Sequence, residues 1–169
     1  MTIIAYSGSH GTGKTTSAFN QAMHFKYNHP DKSVSTMTDQ EALCPFPINQ
    51  AGTTESQLWI FSNHIRQELI LSRRFDVLVT DRTIVDVIAY TYAAGFDALA
   101  CGMMAIAESY MSMYAEIRVN LIQYHQHCFN DGIRESEDLQ FRQDVEDILL
   151  DLYKSLQQDG SIPGKIFYA

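Results

Sequence analysis

Near its start the chain reads Gly8-Ser9-His10-Gly11-Thr12-Gly13-Lys14-Thr15, followed by Thr16. This stretch matches the phosphate-binding pattern G-x-x-x-x-G-K-S/T. The apolar residues 3–6 before it are typical of a buried strand, and residues 14–27 after it have helical character. A strand, a glycine-rich loop and a helix in this order form the context in which the motif binds phosphates. The segment therefore predicts a nucleoside triphosphate site.

The positions of the motif have distinct chemical tasks. Backbone N–H groups of such a loop point at the α- and β-phosphates, and the positive end of the following helix adds to the attraction. Lys14 is expected to reach the β- and γ-phosphates, and the Thr15 hydroxyl is expected to be a ligand of Mg²⁺. Residues 8–16 are therefore the predicted cofactor-binding residues, with Lys14 also catalytic and Thr15 also a metal ligand.

Composition and charge restrict the class of protein. A chain of 169 residues with 46% hydrophobic residues suits one domain with a substantial core, spanning residues 1–169. The net charge of −8 argues against broad binding to nucleic acid. No apolar run approaches the roughly 20 residues that span a bilayer, and no secretory leader pattern is present. With three cysteines and no C-x-x-C pair, we expect a cytoplasmic protein. The net charge favours a small molecule as the partner, and the oligomeric state is left open.

Strands and helices alternate along the rest of the chain, without an internal repeat or a linker. This alternation predicts a parallel sheet covered by helices on both faces, with ligands at the carboxyl ends of the strands. Strands are expected at residues 2–6, 33–38, 76–80, 117–123 and 165–168. Further helices are expected at residues 54–73, 84–93 and 97–114, and from Ser136 or Asp138 onward.

The helix expected at residues 54–73 carries the clearest pattern. Thr54 with Gln57 three residues later suggests a capping box at its start. Apolar residues at helical spacing predict a stripe that faces the core. This stripe consists of Leu58, Phe61, Ile65 and Leu69.

Asp81 and Arg82 follow the apolar strand expected at residues 76–80. A carboxylate in this place can hold Mg²⁺, and the guanidinium beside it can bind a substrate phosphate or the transferring group. The alternative is a surface ion pair at a strand end. Because this strand should lie beside the strand before the loop, we expect Asp81 to be catalytic and a metal ligand, and Arg82 to be catalytic. An arginine here, in place of a glutamate that polarises water, favours transfer over hydrolysis.

Two further groups of polar residues are candidates. Asp39, at the end of the second strand, is expected to orient an acceptor hydroxyl as a catalytic residue, with Glu41 as a weaker candidate and loop capping as the alternative. Arg134 and Arg142 are expected to be catalytic residues of a lid at about residues 125–142 that closes over the γ-phosphate. The alternative for Arg142 is a surface ion pair with a carboxylate four residues away, at Asp138 or Glu146. A metal site is the less favoured interpretation of His125, His127 and Cys128.

With these motifs the chain resembles the P-loop nucleoside and nucleotide kinase superfamily, including thymidylate kinases, deoxynucleoside kinases and the ribosylnicotinamide kinase domain. More narrowly, it resembles small AAA-type ATP-binding proteins. The resemblance is carried by residues 7–16, 39–49, 57–60, 81–90 and 130–142, most specifically by the loop motif. It implies an α/β P-loop NTPase fold of three layers, with a five-stranded parallel sheet of order 2-3-1-4-5. It also implies ATP and Mg²⁺ as cofactors and a lid over the phosphates.

The function expected from motifs and resemblance together is ATP-dependent phosphoryl transfer to a small nucleoside, nucleotide or related acceptor. The related family has an arginine near positions 42 and 43, which are apolar in this chain, and this difference weakens the expectation of a monophosphate acceptor. The alternative function is an ATP-binding regulatory or adaptor module with slow hydrolysis and a protein partner.

Overall fold

One parallel sheet organises the protein. The structure is a computed structural model that describes residues 1–48, 51–122, 139–162 and 164–168. The strands are β1 (Thr2–Ser7), β2 (Val34–Met37), β3 (Val77–Thr80), β4 (Tyr114–Val119) and β5 (Lys165–Tyr168). They pair in parallel in the order β2-β3-β1-β4-β5. This order confirms the predicted fold class and sheet topology.

Helices cover both faces of the sheet. In the part of the chain that the structure describes, no helix is both long enough and apolar enough to cross a bilayer. The α-helices are α1 (Lys14–Asn28), α2 (Thr54–Arg74), α3 (Ile84–Ala93), α4 (Asp97–Tyr110) and α5 (Leu139–Gln158). Short 3-10 helices lie at Gln40–Leu43 and Met111–Met113.

The central strand β1 contributes to two hydrophobic layers. Ile3 and Ala5 belong to the larger core with residues of α2, α3, α4 and α5, whereas Ile4 and Tyr6 pack with α1. Successive side chains of a strand point to opposite faces, and a parallel sheet is buried on both. An uninterrupted apolar run is therefore what this position in the fold requires.

The register of β1 with its neighbours assembles one functional edge of the sheet. Ser7 pairs with Val119 of β4, and Ala5 pairs with Thr80 of β3. Because the strands are parallel, their carboxyl ends meet at the same edge. The loop after β1 therefore lies next to Asp81, which follows β3, and Asn120, which follows β4.

The predicted core stripe of α2 is wrong at two positions. Leu58 and Leu69 are each 45% exposed, whereas Phe61, His64 and Glu68 are buried. The buried face of the helix is therefore rotated toward polar residues that an apolar pattern does not select. The N-cap is also one residue earlier than predicted, since the Thr53 hydroxyl accepts a hydrogen bond from the Ser56 N–H group.

A buried polar cluster explains this rotation. His64 Nε2 lies 3.2 Å from Glu68 Oε1, and Glu68 Oε2 accepts hydrogen bonds from the hydroxyls of Tyr110 and Tyr114 at 2.8 and 2.9 Å. Burial lowers the pKa of His64, but the charge and hydrogen bond of Glu68 outweigh it, so the pKa lies above its ordinary value. Polar groups can occupy the core here because their hydrogen bonds are satisfied.

The same cluster shifts the boundary between α4 and β4. The sequence predicted a helix as far as Tyr114 and a strand at residues 117–123, but α4 ends at Tyr110 and β4 begins at Tyr114. Tyr114 is paired with Ile3 and is anchored by Glu68, so tertiary contacts override its local helical pattern. β4 ends at Val119, so residues 120–122 of the predicted strand 117–123 are not strand, and Gln123 lies outside the described residues.

The corrected face of α2 makes a stability prediction. Phe61→Ala should lower the free energy of unfolding by about 3–5 kcal/mol, because it leaves a cavity in the core. Leu69→Ala, at an exposed position of the same helix, should cost about 1 kcal/mol or less. Urea denaturation of both variants measures the difference. Similar losses in the two variants would contradict the rotated face.

Candidate active site

The phosphate-binding loop begins with a glycine that the fold requires. Gly8 has a φ of 139°, and a Cβ atom there would lie 2.4 Å from the backbone oxygen of Asn120. Gly13 also has a positive φ, of 74°, at the N-cap of α1. Only glycine adopts such backbone angles at little cost. The glycines of the motif thus serve the close approach of β4 and the sharp entry into α1.

Lys14 lies across the loop that precedes it. Its ammonium donates a hydrogen bond to the Ser9 backbone oxygen at 2.6 Å, and the Thr12 hydroxyl donates to the same oxygen at 2.9 Å. Ser9, Thr12 and Lys14 are buried. The structure therefore brings the predicted lysine and the loop backbone together in one compact turn.

The two predicted metal ligands contact each other. The Thr15 hydroxyl donates a hydrogen bond to Asp81 Oδ2 at 2.6 Å. Burial raises the pKa of Asp81 above its ordinary value, while the hydrogen bond from Thr15 and the charge of Arg82 oppose this shift. A hydroxyl and a carboxylate are hard oxygen donors of the kind that Mg²⁺ prefers. Because their oxygens are adjacent, one cation can contact both, and the residues fit such an ion.

Asp86, on α3, is the main support of the loop. Its carboxylate accepts hydrogen bonds from the Ser7 hydroxyl at 2.8 Å and the Gly8 N–H group at 2.9 Å. It also accepts from the N–H group and the hydroxyl of Thr83, which caps α3. Asp86 lies within residues 81–90, which carried the family resemblance, but its support of the loop was not predicted from the sequence. The capping-box spacing from Thr83 to Asp86, directly after a strand, is the signal that could have found it.

Two further side chains hold the loop from neighbouring elements. Tyr153 of α5 donates its hydroxyl hydrogen to the Ser7 hydroxyl at 2.8 Å, and the Asn120 side-chain amide donates to the Thr12 backbone oxygen at 2.9 Å. Tyr153 is fully buried, and burial raises the pKa of its hydroxyl well above the ordinary value. Neighbouring elements on both sides of the loop thus contribute to its shape.

Arg142 reaches the loop from α5. Its side chain is 0% exposed, and its Nε–H group donates to the His10 backbone oxygen at 3.0 Å. Its two terminal nitrogens have no hydrogen-bond partner among the described residues. Arg142 therefore does not lie on the helix surface, and Glu146 instead accepts from the Ile122 N–H group. The other predicted lid residue, Arg134, lies outside the described residues, as do Asp138, His125, His127 and Cys128.

A pocket adjoins the phosphate-binding loop. Arg82 is buried and directs its Nε and one terminal nitrogen at Glu41 Oε1, at 3.2 and 3.0 Å, while its guanidinium lies 5.0 Å from the centre of the Tyr90 ring. Burial opposes the charge of Arg82, but Glu41 together with Tyr90, Asp86 and Asp81 outweighs this effect, so the pKa of the guanidinium lies well above its ordinary value. The pocket is lined by Glu41, Ile48, Gln57, Ile60, Arg82, Val87, Tyr90 and Phe141.

The structure places the two acidic candidates after β2 differently. Asp39 has a φ of 52° and precedes the short helix Gln40–Leu43, and it is not among the described residues that line the pocket. Glu41 lies within that helix, is buried and lines the pocket. The sequence alone favoured Asp39, because the first turn of the 3-10 helix that turns Glu41 inward is not visible in the pattern.

Comparison with known proteins agrees with this geometry. The fold is that of the P-loop nucleoside and nucleotide kinases. Solved structures of such kinases align with this chain along nearly its whole length. The family model described as an AAA domain (AAA_28) matches residues 3–160, and the chain belongs to this family. No curated protein matches the sequence significantly. The resemblance inferred from the motifs is thereby confirmed.

Three solved structures illustrate the likeness. Deoxyadenosine kinase from M. mycoides, with the products dCMP and dCDP bound, has a TM-score of 0.66 and 13% identity over 99% of this chain and 89% of that chain. Thymidylate kinase from Ehrlichia chaffeensis has a TM-score of 0.65 and 14% identity, over 99% of this chain and 91% of that chain. Thymidylate kinase from Candida albicans has a TM-score of 0.63 and 14% identity, over 99% of this chain and 83% of that chain. At such low identity these structures establish the fold.

The loop support makes a prediction about Asp86. Asp86→Asn should lower the free energy of unfolding by about 2 kcal/mol or more, because an amide NH₂ group would face donors that now share a carboxylate. It should also weaken ATP binding, since the amide NH₂ group would face either the Gly8 N–H group or the donors of Ser7 and Thr83, and the loop loses part of its support in both cases. Thermal denaturation and an ATP titration measure both effects, with the exposed Asp97→Asn as the matched control. Equal behaviour of the two variants would contradict the role of Asp86.

Proposed function

We propose that this protein is an ATP- and Mg²⁺-dependent kinase that transfers the γ-phosphoryl group to a small nucleoside, nucleotide or related acceptor. The observation that carries the proposal is the pairing of two adjacent sites. The phosphate-binding loop, with Lys14, Thr15 and Asp81, adjoins a pocket that contains the Glu41–Arg82 ion pair. Tyr90 lines this pocket and also bonds the loop. A module that only binds ATP has no need of a second pocket built in this way.

On the donor side, the proposal assigns phosphate contacts to the loop and to nearby cations. Thr15 and Asp81 are the residues that would hold Mg²⁺, which would neutralise phosphate charge when bound. Lys14 stabilises charge on the same phosphates. The terminal nitrogens of buried Arg142 have no hydrogen-bond partner among the described residues, and this supports a role in phosphate binding, because burying a cation is costly unless an anion compensates it. Arg134 stays a predicted member of the same group.

On the acceptor side, the pocket offers a carboxylate and a guanidinium among apolar side chains. We assign Glu41 the role of proton acceptor for the acceptor hydroxyl, because it lines the pocket and its carboxylate is held in place by the ion pair with Arg82. As that hydroxyl loses its proton, its oxygen bonds the γ-phosphorus and ADP departs with the bridging oxygen. Arg82 neutralises charge on the transferring group. Asp39 stays a predicted orienting residue outside the pocket lining.

The proposed setting is the cytoplasm, with a small molecule as the partner. Cys44 and Cys101 are free thiols in the structure, in keeping with a reducing compartment. The net charge of −8 disfavours bulk nucleic acid as the acceptor. The pocket beside the loop is therefore proposed to receive a small molecule.

Release of ADP in the presence of candidate acceptors tests the proposal. ATP and Mg²⁺ are supplied with nucleosides, nucleoside monophosphates and ribosylnicotinamide in turn, and phosphorylated product is identified by mass spectrometry. We expect one acceptor class to stimulate ADP release with stoichiometric product. Lys14→Ala is expected to lower that rate about a hundredfold or more. Saturable ATP binding without stimulation by any acceptor would favour the regulatory module instead.

The pocket arginine makes a separate prediction about transfer. Arg82→Lys retains a charge for Glu41 but loses the planar fork, so the transfer rate should fall about tenfold or more while ATP affinity changes little. The matched control is Arg118→Lys, since Arg118 is also ion-paired but contacts Tyr6 and Gln21 away from the pocket. Transfer rates and ATP titrations distinguish the outcomes. Equal loss of ATP binding and transfer would assign Arg82 a structural role.

A further inference from the structure

The backbone of His10 is held on both sides within the loop. Its N–H group donates a hydrogen bond to the Tyr90 hydroxyl oxygen at 2.8 Å, and its carbonyl oxygen accepts from Arg142 Nε at 3.0 Å. The His10 ring nitrogen Nδ1 also lies 2.9 Å from the Tyr90 hydroxyl. The middle of the loop is therefore bonded to α3 on one side and to α5 on the other.

Asp86 and Tyr90 both contact the loop from the same helix, α3. They are four residues apart, so they lie on the same face of the helix, about 6 Å apart along its axis. Asp86 bonds the N–H group of Gly8, and Tyr90 bonds the N–H group of His10. Two points of the loop, two residues apart, are thus hydrogen-bonded to the same helix. This restricts both the position and the tilt of the loop.

The other face of Tyr90 belongs to the acceptor pocket. Its ring lies beneath the Arg82 guanidinium at 5.0 Å and lines the pocket, and its centre is 6.0 Å from that of Phe141. Phe141 in turn packs against His10 at 6.4 Å between ring centres. One side chain therefore contacts the loop through its hydroxyl and the pocket arginine through its ring.

We propose that Tyr90 is a positioning residue that sets the distance between the transferable phosphate and the acceptor. The inference rests on the proposed function. The loop determines where the phosphates lie, and Arg82 and Glu41 determine where the acceptor lies. Displacement of about 1 Å between reacting groups can cost a hundredfold in rate. A rigid aromatic side chain shared by both sites is suited to keep that distance constant.

The two halves of Tyr90 can be separated by substitution. Tyr90→Phe preserves the ring beneath Arg82 and the shape of the pocket, but removes the acceptor for the His10 N–H group. A partly buried N–H group without a partner is unfavourable, so the loop should shift or open more often. The matched control is Tyr92→Phe on the same helix, because the Tyr92 hydroxyl contacts only the Cys101 thiol among the described residues.

We expect Tyr90→Phe to lower kcat for transfer about tenfold or more, with the acceptor KM changed less than about threefold. Amide hydrogen exchange at residues 8–13 should become faster, while exchange in the core strands and the Tm stay close to the wild type. Tyr92→Phe should match the wild type in every measurement. A purely structural role for Tyr90 would instead change Tm and exchange throughout the sheet.

A second variant separates the backbone bond of His10 from its ring bond. His10→Ala keeps the N–H group and removes Nδ1, so Tyr90→Phe should still lower kcat when made in the His10→Ala background. Loss of that effect would overturn the inference, as would an unchanged kcat or unchanged loop exchange in Tyr90→Phe alone. If the wild-type protein transfers phosphate to no acceptor, the proposed function fails and the inference fails with it. Wild-type transfer with a normal Tyr90→Phe rate refutes only the inference.

Discussion

The buried carboxylate of Asp86 is the contact on which the rest of the site depends. It accepts hydrogen bonds from the last residue of β1, from the first glycine of the loop and from the cap of α3. Two segments that are far apart in the chain, the end of β1 with its loop and the start of α3, are therefore joined by one carboxylate. Its charge is buried, but four donors surround it, so the cost of desolvation is offset by charge-assisted hydrogen bonds.

Other buried charges gather around the same edge of the sheet. Arg82 pairs with Glu41, Asp81 accepts from Thr15, and Arg142 donates to the loop backbone. Buried ion pairs contribute little net stability compared with apolar packing. Their concentration where the parallel strands end is better explained by a task that requires charge, because natural proteins depart from apolar cores mainly at functional sites.

Sequence reasoning succeeded where one local pattern has one physical meaning. The loop motif has its strand and helix, and the apolar run of β1 is buried on both faces as a central parallel strand requires. It failed where a distant partner changes the preference of a residue. The exposed Leu69 and the buried Glu68 are adjacent in α2, and Glu68 is the better core residue because His64, Tyr110 and Tyr114 satisfy its carboxylate.

The sequence by itself determined the phosphate-binding loop, the alternation of strands and helices and the pairing of Thr15 with Asp81, because short-range motifs and strand order suffice for these. Tertiary structure alone decided that Glu41, and not Asp39, lines the pocket, and that Arg142 turns inward to His10. The physical reason is that the local backbone conformation of a helix or loop does not determine whether a charged side chain faces solvent or the interior. Which way it faces depends on partners supplied by elements far away in the chain.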